Sequence, residues 1–182
     1  MKKENTAKYV LRLALTLFLI TAVVACCLAA VNQVTKPRIA AAKEEKAQKA
    51  IETVLPGGGK PVDFTDETGT VSKVYASDAG YAVEVNPSGF NGPITMMVGV
   101  SRDGKVLGIS IVTQTETAGL GAVSAAKTSA GEAFRGQYAG MSGTLAVNKD
   151  GGSVEAITGA TITSRAVTNG VNTALACVAA ME

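Results

Sequence analysis

Four hydroxyl side chains lie within the seven-residue stretch Thr-Gly-Ala-Thr-Ile-Thr-Ser at residues 158–164. Apolar residues at helical spacing follow, which predicts that the last helix begins here. They are Val167, Val171, Ala174, Leu175 and Val178. Hydroxyl groups at a helix start commonly cap unpaired backbone N–H groups. The same N–H groups and the positive end of the helix dipole also favour a bound phosphate. On composition alone, capping is the simpler interpretation.

A second stretch that could contact a ligand is Glu-Thr-Ala-Gly-Leu-Gly at residues 116–121. Its two glycines allow the backbone to approach a flat or phosphorylated molecule, and Leu120 offers an apolar face. The alternative is a tight turn between a strand and a helix, with Leu120 in the core. The residues alone leave both interpretations open.

Residues 155–161, Glu-Ala-Ile-Thr-Gly-Ala-Thr, resemble the flavinylation motif of the FMN-binding domain family. That motif has an acidic residue, two variable positions and then Ser/Thr-Gly-Ala-Thr. In the family, a flavin transferase that uses FAD attaches FMN to the last Thr through a phosphoester. The resemblance therefore implies covalent FMN on Thr161, with Thr163 as the next candidate. Glu155 stands where the family usually has Asp, which is a shorter carboxylate of the same charge.

Two more segments are similar to passages of the same family. Residues 80–94 contain a glycine, an aromatic residue, a strand-like run and then Gly-Phe-Asn-Gly-Pro-Ile. Residues 116–121 resemble a Glu-Thr-Pro-Gly-Leu-Gly loop, with Ala118 in place of Pro and Gln114 where a His is often found. The resemblance runs from about residue 36 to the C-terminus. It implies that the flavin contacts, besides Thr161, are Thr117, Gly119, Leu120, Gly121, Thr158, Gly159, Ala160, Thr163 and Ser164.

The composition argues against several other kinds of protein. With 182 residues and a formal charge of +2, the chain has no nucleic-acid-binding charge pattern. It has no His, which argues against a conventional zinc site and removes the usual acid–base residue. Cys26 and Cys27 are adjacent within an apolar run, so the three cysteines do not form a disulfide framework. We predict no catalytic residue and no metal ligand.

Residues 13–31 contain no charged side chain. As a helix they span about 28 Å, close to the thickness of the hydrocarbon core. A cleaved signal peptide usually has a shorter apolar region, and a lipoprotein would turn polar after a lipidated Cys26. We therefore predict an uncleaved transmembrane helix at residues 13–34, preceded by a tail at residues 1–12. Basic residues flank both ends, so charge does not orient the helix.

A second, juxtamembrane helix is predicted over residues 35–56, with Thr35 near its cap and Pro37 in its first turn. Its simplest role is a stalk. The family resemblance places the tail in the cytoplasm and the domain at residues 57–182 on the extracytoplasmic face of the inner or plasma membrane.

From residue 71 the apolar period changes to two, which predicts four strands joined as antiparallel hairpins. A helix over residues 122–137 and a fifth strand over residues 144–147 are also predicted. The expected fold class is therefore α+β: a single transmembrane helix, then an FMN-binding domain with an antiparallel sheet and flanking helices.

Among membrane-anchored members of the family, the chain is most similar to the RnfG component of the Rnf complex. A related component of the sodium-pumping NADH:quinone reductase is usually longer. The resemblance implies an electron-carrying subunit that works with other integral membrane and redox subunits, and with a flavin transferase during maturation. Two alternatives stay open: a lone extracytoplasmic flavoprotein that delivers electrons elsewhere, and a flavin-free membrane-tethered scaffold. No nucleic-acid partner is expected.

Overall fold

The computed structural model describes residues 6–64 and 69–181. The chain divides into two compact units, Met1–Glu44 and Glu45–Glu182. The first unit consists of part of helix α1 (Thr6–Val54), which is long and apolar enough to cross a membrane and contains an 18-residue stretch with a mean hydropathy of 2.7. Its large apolar side chains are exposed, as a lipid-facing helix requires. Residues 1–5 of the predicted tail lie outside the described residues.

Helix α1 runs without interruption through Pro37. The prediction of a new helix beginning at Thr35 is therefore wrong. A proline inside a helix removes one backbone hydrogen bond and costs about 3 kcal/mol. The Ala-, Lys- and Glu-rich sequence that follows has high helix propensity and allows the helix to continue. The Thr35 hydroxyl donates a hydrogen bond to the carbonyl of Val31 at 2.9 Å instead of capping a new helix.

The second unit contains a five-stranded sheet in which every pair of neighbouring strands is antiparallel and consecutive along the chain. The strands are β1 (Lys60–Val62), β2 (Val71–Ser77), β3 (Gly80–Val85), β4 (Thr95–Ser101) and β5 (Val106–Thr113). The four predicted strands and their hairpin order are confirmed. Strand β1 was not predicted, because three exposed residues show no apolar alternation.

Both faces of the sheet are covered. One face packs against helices α2 (Ser129–Gly136) and α3 (Thr161–Ala179) around the main core. The other face packs against the end of α1, where Ile51 and Leu55 meet Tyr75 and Met97. The last turns of α1, predicted as a stalk, are thus buried on the sheet within the second unit. The α+β fold class with an antiparallel sheet and flanking helices is confirmed.

The predicted helix over residues 122–137 is interrupted. A 3-10 helix occupies Gly121–Ala125, and α2 begins after Thr128, whose side chain accepts a hydrogen bond from the Gly131 amide. The predicted strand at residues 144–147 is wrong, because only Val147 forms a bridge there. The side-chain amide of Asn172 in α3 pairs with both backbone groups of Leu145 at 2.8 Å, in place of a neighbouring strand.

Helix α3 is joined to the turn that follows α2 through a buried pair of hydroxyl groups. The Tyr138 hydroxyl lies 2.9 Å from the Thr168 hydroxyl, and its ring meets Phe134 edge-to-face. Burial raises the pKa of Tyr138 to about 12, so the phenol is neutral at physiological pH. This contact fixes the side of α3 that faces away from the solvent.

Candidate functional site

A cleft of about 360 Å³ brings together the segments with family-like motifs. It lies between the 116–121 loop, the start of α3 and the turn that precedes β4. Seven of the ten predicted site residues line it: Thr117, Leu120, Gly121, Gly159, Ala160, Thr161 and Thr163. Three do not line it: Gly119, Thr158 and Ser164. Thr158 faces a neighbouring cleft beside α2.

The first turn of α3 leaves its backbone amides open. The first hydrogen bond of the helix runs from the Ser164 amide to the carbonyl of Ala160 at 3.0 Å. Ala160, the residue at the cap position, makes no side-chain capping bond. Among the described residues, none accepts a hydrogen bond from the amides of residues 161–163. The capping interpretation of the hydroxyl cluster is therefore wrong for this helix, and the open amides suit an anion.

The four hydroxyl groups of the cluster differ in their surroundings. Thr163 is buried and donates a hydrogen bond to the carboxylate of Glu116. Ser164 is buried, donates to the carbonyl of Ala160 and accepts from the amide of Ile157. The hydroxyls of Thr158 and Thr161 make no hydrogen bond to any described residue, and of these two residues Thr161 lines the cleft and Thr158 does not. Thr161 is half-buried at the first position of the helix.

The rim of the cleft is apolar. Phe90, Leu120 and Ile162 are exposed by 65%, 43% and 49%. Such clustered exposure of large apolar side chains typically marks a binding surface. Leu120 leans toward Gly159, where an added Cβ would lie 3.1 Å from Leu120 Cδ2. Gly159 also has a φ of +74°, which favours glycine. Leu120 is thus a rim residue and not part of the core.

The acidic residue of the 155–161 motif is held through its backbone. The side chain of Gln137 accepts from the Glu155 amide at 2.8 Å and donates to the Glu155 carbonyl at 3.1 Å. This pairing leaves the Glu155 side chain exposed. Beyond the motif, Arg165 pairs with Asp150 at 2.7 and 2.5 Å, and hydrogen bonding from the guanidinium lowers the pKa of that carboxyl. Both contacts tie the motif to neighbouring loops.

Three residues of the cleft were not predicted. The side chains of Phe90 and Ile162 form part of the apolar rim. Glu116 places a carboxylate in the wall of the cleft, and this residue is only 7% exposed. Phe90 and Glu116 lie inside segments that resemble the family, so those segments were the signal that could have identified them. The role of Glu116 depends on partners 25 and 47 residues away, which sequence spacing does not reveal.

Residues 89–176 match the FMN-binding domain model, and residues 1–54 match the RnfG N-terminal region. The chain is 34% identical to the G subunit of the Na(+)-translocating ferredoxin:NAD(+) oxidoreductase complex of Acetobacterium woodii, covering 91% of this chain and 89% of that protein. It is 38% identical to the G subunit of the proton-translocating ferredoxin:NAD(+) oxidoreductase complex of Clostridium ljungdahlii, covering 81% and 80%. It is 30% identical to the G subunit of the ion-translocating oxidoreductase complex of Methanosarcina acetivorans, covering 98% and 99%.

These matches span both the apolar N-terminal helix and the cleft, and they confirm the resemblance recognised in the motifs. The chain therefore belongs to the RnfG family, the G subunits of ion-translocating oxidoreductase complexes, and it contains an FMN-binding domain.

Proposed function

We propose that this protein is the electron-carrying subunit of an Rnf-type ferredoxin:NAD oxidoreductase complex coupled to ion translocation, and that it carries FMN covalently on Thr161. The observation that supports this most strongly is the environment of Thr161. Its hydroxyl makes no hydrogen bond to a described residue, and its side chain lines the cleft. The open amides of the first helical turn lie beside it. A phosphoester at this position would be next to groups that favour negative charge.

The cleft fits a flavin in its chemistry. One end offers backbone amides for a phosphate, and the rim offers three apolar side chains for a ring system. Bound FMN would supply the redox chemistry of the protein. The chain holds the flavin in place and supplies the hydroxyl nucleophile for its attachment. Water is partly excluded from the cleft by Phe90, Leu120 and Ile162. Thr117, Gly121, Gly159 and Ala160 complete the walls.

Attachment at Thr161 is a transfer from FAD catalysed by a flavin transferase. A bond forms between Thr161 Oγ1 and the phosphorus of the FMN phosphate. The pyrophosphate bond of FAD breaks, AMP leaves, and the hydroxyl proton passes to a base of the transferase. Glu155, the acidic residue of the motif, has an exposed side chain and a backbone fixed by Gln137, so the transferase would meet it in one defined position on the folded domain.

Helix α1 anchors the protein as a single-pass membrane protein in this proposal. Residues 13–34 cross the inner or plasma membrane, residues 1–12 form the cytoplasmic tail, and residues 35–56 follow the span. Residues 57–182, the FMN-binding domain, face the extracytoplasmic side. The exposed apolar surface of α1 supports the anchoring part of the proposal.

Protease accessibility tests the proposed orientation. Protease added to intact cells, after removal of the wall where necessary, should digest the domain, as followed with a C-terminal tag. A cytoplasmic protein in the same cells serves as the control and should survive. Digestion of the domain only in inverted vesicles would show that the opposite orientation is the correct one.

Isolation from the native membrane tests the function as a whole. The tagged full chain, extracted in mild detergent, should co-purify with other integral membrane and redox subunits and carry the mass of one FMN phosphoester. Flavin without partners would favour the lone flavoprotein. Partners without flavin would favour a scaffold. Tryptic mapping of the adduct should place the mass on the peptide that contains Thr161.

A further inference from the structure

A carboxylate is buried at the wall of the cleft without a cation. Glu116 is 7% exposed, and among the described residues no Lys or Arg lies within ion-pair distance of it. A buried charge is costly unless hydrogen bonds or a favourable dipole stabilise it. The side chain lies at the N-terminal end of α3, where the helix dipole favours negative charge. The contacts of Glu116 must therefore compensate for the free energy that is lost when the carboxylate is buried.

The contacts of Glu116 join three separate segments. Oε1 accepts a hydrogen bond from the amide of Asn91 at 2.9 Å, in the turn before β4. Oε2 accepts a hydrogen bond from the hydroxyl of Thr163, in the first turn of α3. Asn91 and Thr115 exchange two further hydrogen bonds of 2.9 Å, which fix the turn against the loop. The carboxylate is thus the point at which the turn, the loop and the helix meet.

Two glycines make room for this carboxylate. A Cβ on Gly89 would lie 2.5 Å from Glu116 Oε1, and a Cβ on Gly121 would lie 2.6 Å from Glu116 Oε2. Neither distance is compatible with a side chain unless the carboxylate moves. The carboxylate, together with the Thr163 hydroxyl beside Gly121, thus leaves no space for a side chain at either position.

We infer that Glu116 is a positioning residue for flavin attachment, and that it acts through Thr163. Its bond to the Thr163 hydroxyl fixes the first turn of α3, so that the side chain of Thr161 faces the cleft. Because the carboxylate binds a hydroxyl, the amides of residues 161–163 stay available for the phosphate. This inference rests on the proposed role of Thr161 as the acceptor.

The test compares variants of the full chain, in detergent, during loading by the flavin transferase with FAD. Glu116→Ala and Thr163→Val each remove one partner of the hydrogen bond between these two side chains, called the bridge below. Each variant should slow loading, the covalent attachment of flavin, by about tenfold or more. Glu116→Gln should load within about threefold of the wild type, because its amide can still accept from Asn91 and can donate to the Thr163 oxygen. Thr168→Val is the matched control, since it removes a buried hydroxyl bond elsewhere in α3 and should load normally.

A second measurement does not depend on flavin. In protein made without the transferase, the first hydrogen-bonded amides of α3, those of residues 164–167, should exchange with solvent about tenfold faster in Glu116→Ala and Thr163→Val. Amides of β3 and β4 should not change. Thr163→Val replaces one hydroxyl by a methyl group, so it reports on the bridge even where Glu116→Ala fails to fold.

The two measurements separate the possible failures. A wild-type chain that accepts no flavin would overturn the proposed function, while the exchange data would still test the bridge. Normal loading by folded Glu116→Ala would overturn the inference. Slow loading in both the Ala and the Gln variant, with unchanged exchange in residues 164–167, would also overturn the inference and assign the effect to the charge of Glu116 itself.

Discussion

Thr161→Ala should yield a folded protein that carries no covalent flavin. The side chain is half-buried and its hydroxyl makes no hydrogen bond to a described residue, so its loss leaves no buried group unpaired. Alanine also has high helix propensity at this first helical position. The free energy of unfolding should therefore stay within about 0.5 kcal/mol of the wild-type value. Flavin fluorescence of the denatured band and intact-mass analysis measure the loading.

Thr173→Ala is the matched control for this prediction, because it also removes one hydroxyl from α3 but lies outside the motif and the cleft, where that hydroxyl bonds only to the Asn169 carbonyl at 3.0 Å. It should keep the full flavin content. Covalent flavin remaining on Thr161→Ala would refute the assignment. Thr163, predicted from the sequence as the next candidate, is a poor acceptor in the structure because its hydroxyl is buried against Glu116. Thr158 then becomes the residue to examine.

Gly121→Val should be the most damaging single change in the cleft. A Cβ at this position would lie 2.6 Å from Glu116 Oε2 and 2.9 Å from Glu116 Cβ, and it would also overlap the hydroxyl of Thr163. The β-branched side chain would push the carboxylate from its hydrogen bonds. Overpacking and the loss of a bond to a charged group together should lower the free energy of unfolding by about 2–4 kcal/mol. Gly121 does not have a positive φ, so the effect is steric.

Urea denaturation of the flavin-free chain measures this loss, and the loading assay measures its effect on attachment. Gly108→Val is the control, because a Cβ at Gly108 meets no atom within 4 Å and valine suits a strand. That variant should be as stable as the wild type and should load normally. Equal stability of Gly121→Val and the wild type would mean that the loop can move away from Glu116 without cost.

The sheet was predictable because its order is local. Alternating apolar residues and short turns identify hairpins, and those signals lie within a few residues of one another. The errors arose where a distant group replaces a local partner. Leu145 lies in a strand-like pattern, but the side chain of Asn172 satisfies its backbone groups. The helix predicted from residue 122 is broken because Gly131 packs tightly against the backbone of Ala126, which holds a separate 3-10 turn beside α2.

The segments that form the site could be predicted from the sequence, but the side-chain contacts between those segments could not. The order and composition of the motifs indicated which loops form the cleft, and the structure brings the turn, the loop and the helix together. Which hydroxyl is free depends on burial, and burial depends on the packing of α3. The same holds for Glu116, whose partners Asn91 and Thr163 are far away along the chain. Such contacts are properties of the folded domain, and a local pattern does not contain them.

The consecutive order of strands β1 to β5 bears on when the flavin can be attached. Hairpins between adjacent strands close short loops, so the sheet has low contact order and can form early. The cleft, in contrast, needs residues 159–163 and therefore helix α3, which follows the sheet along the chain. During synthesis from the N-terminus, this helix becomes available only after all five strands. Flavin attachment, as proposed here, is therefore a step that follows folding, and the transferase would meet a finished domain.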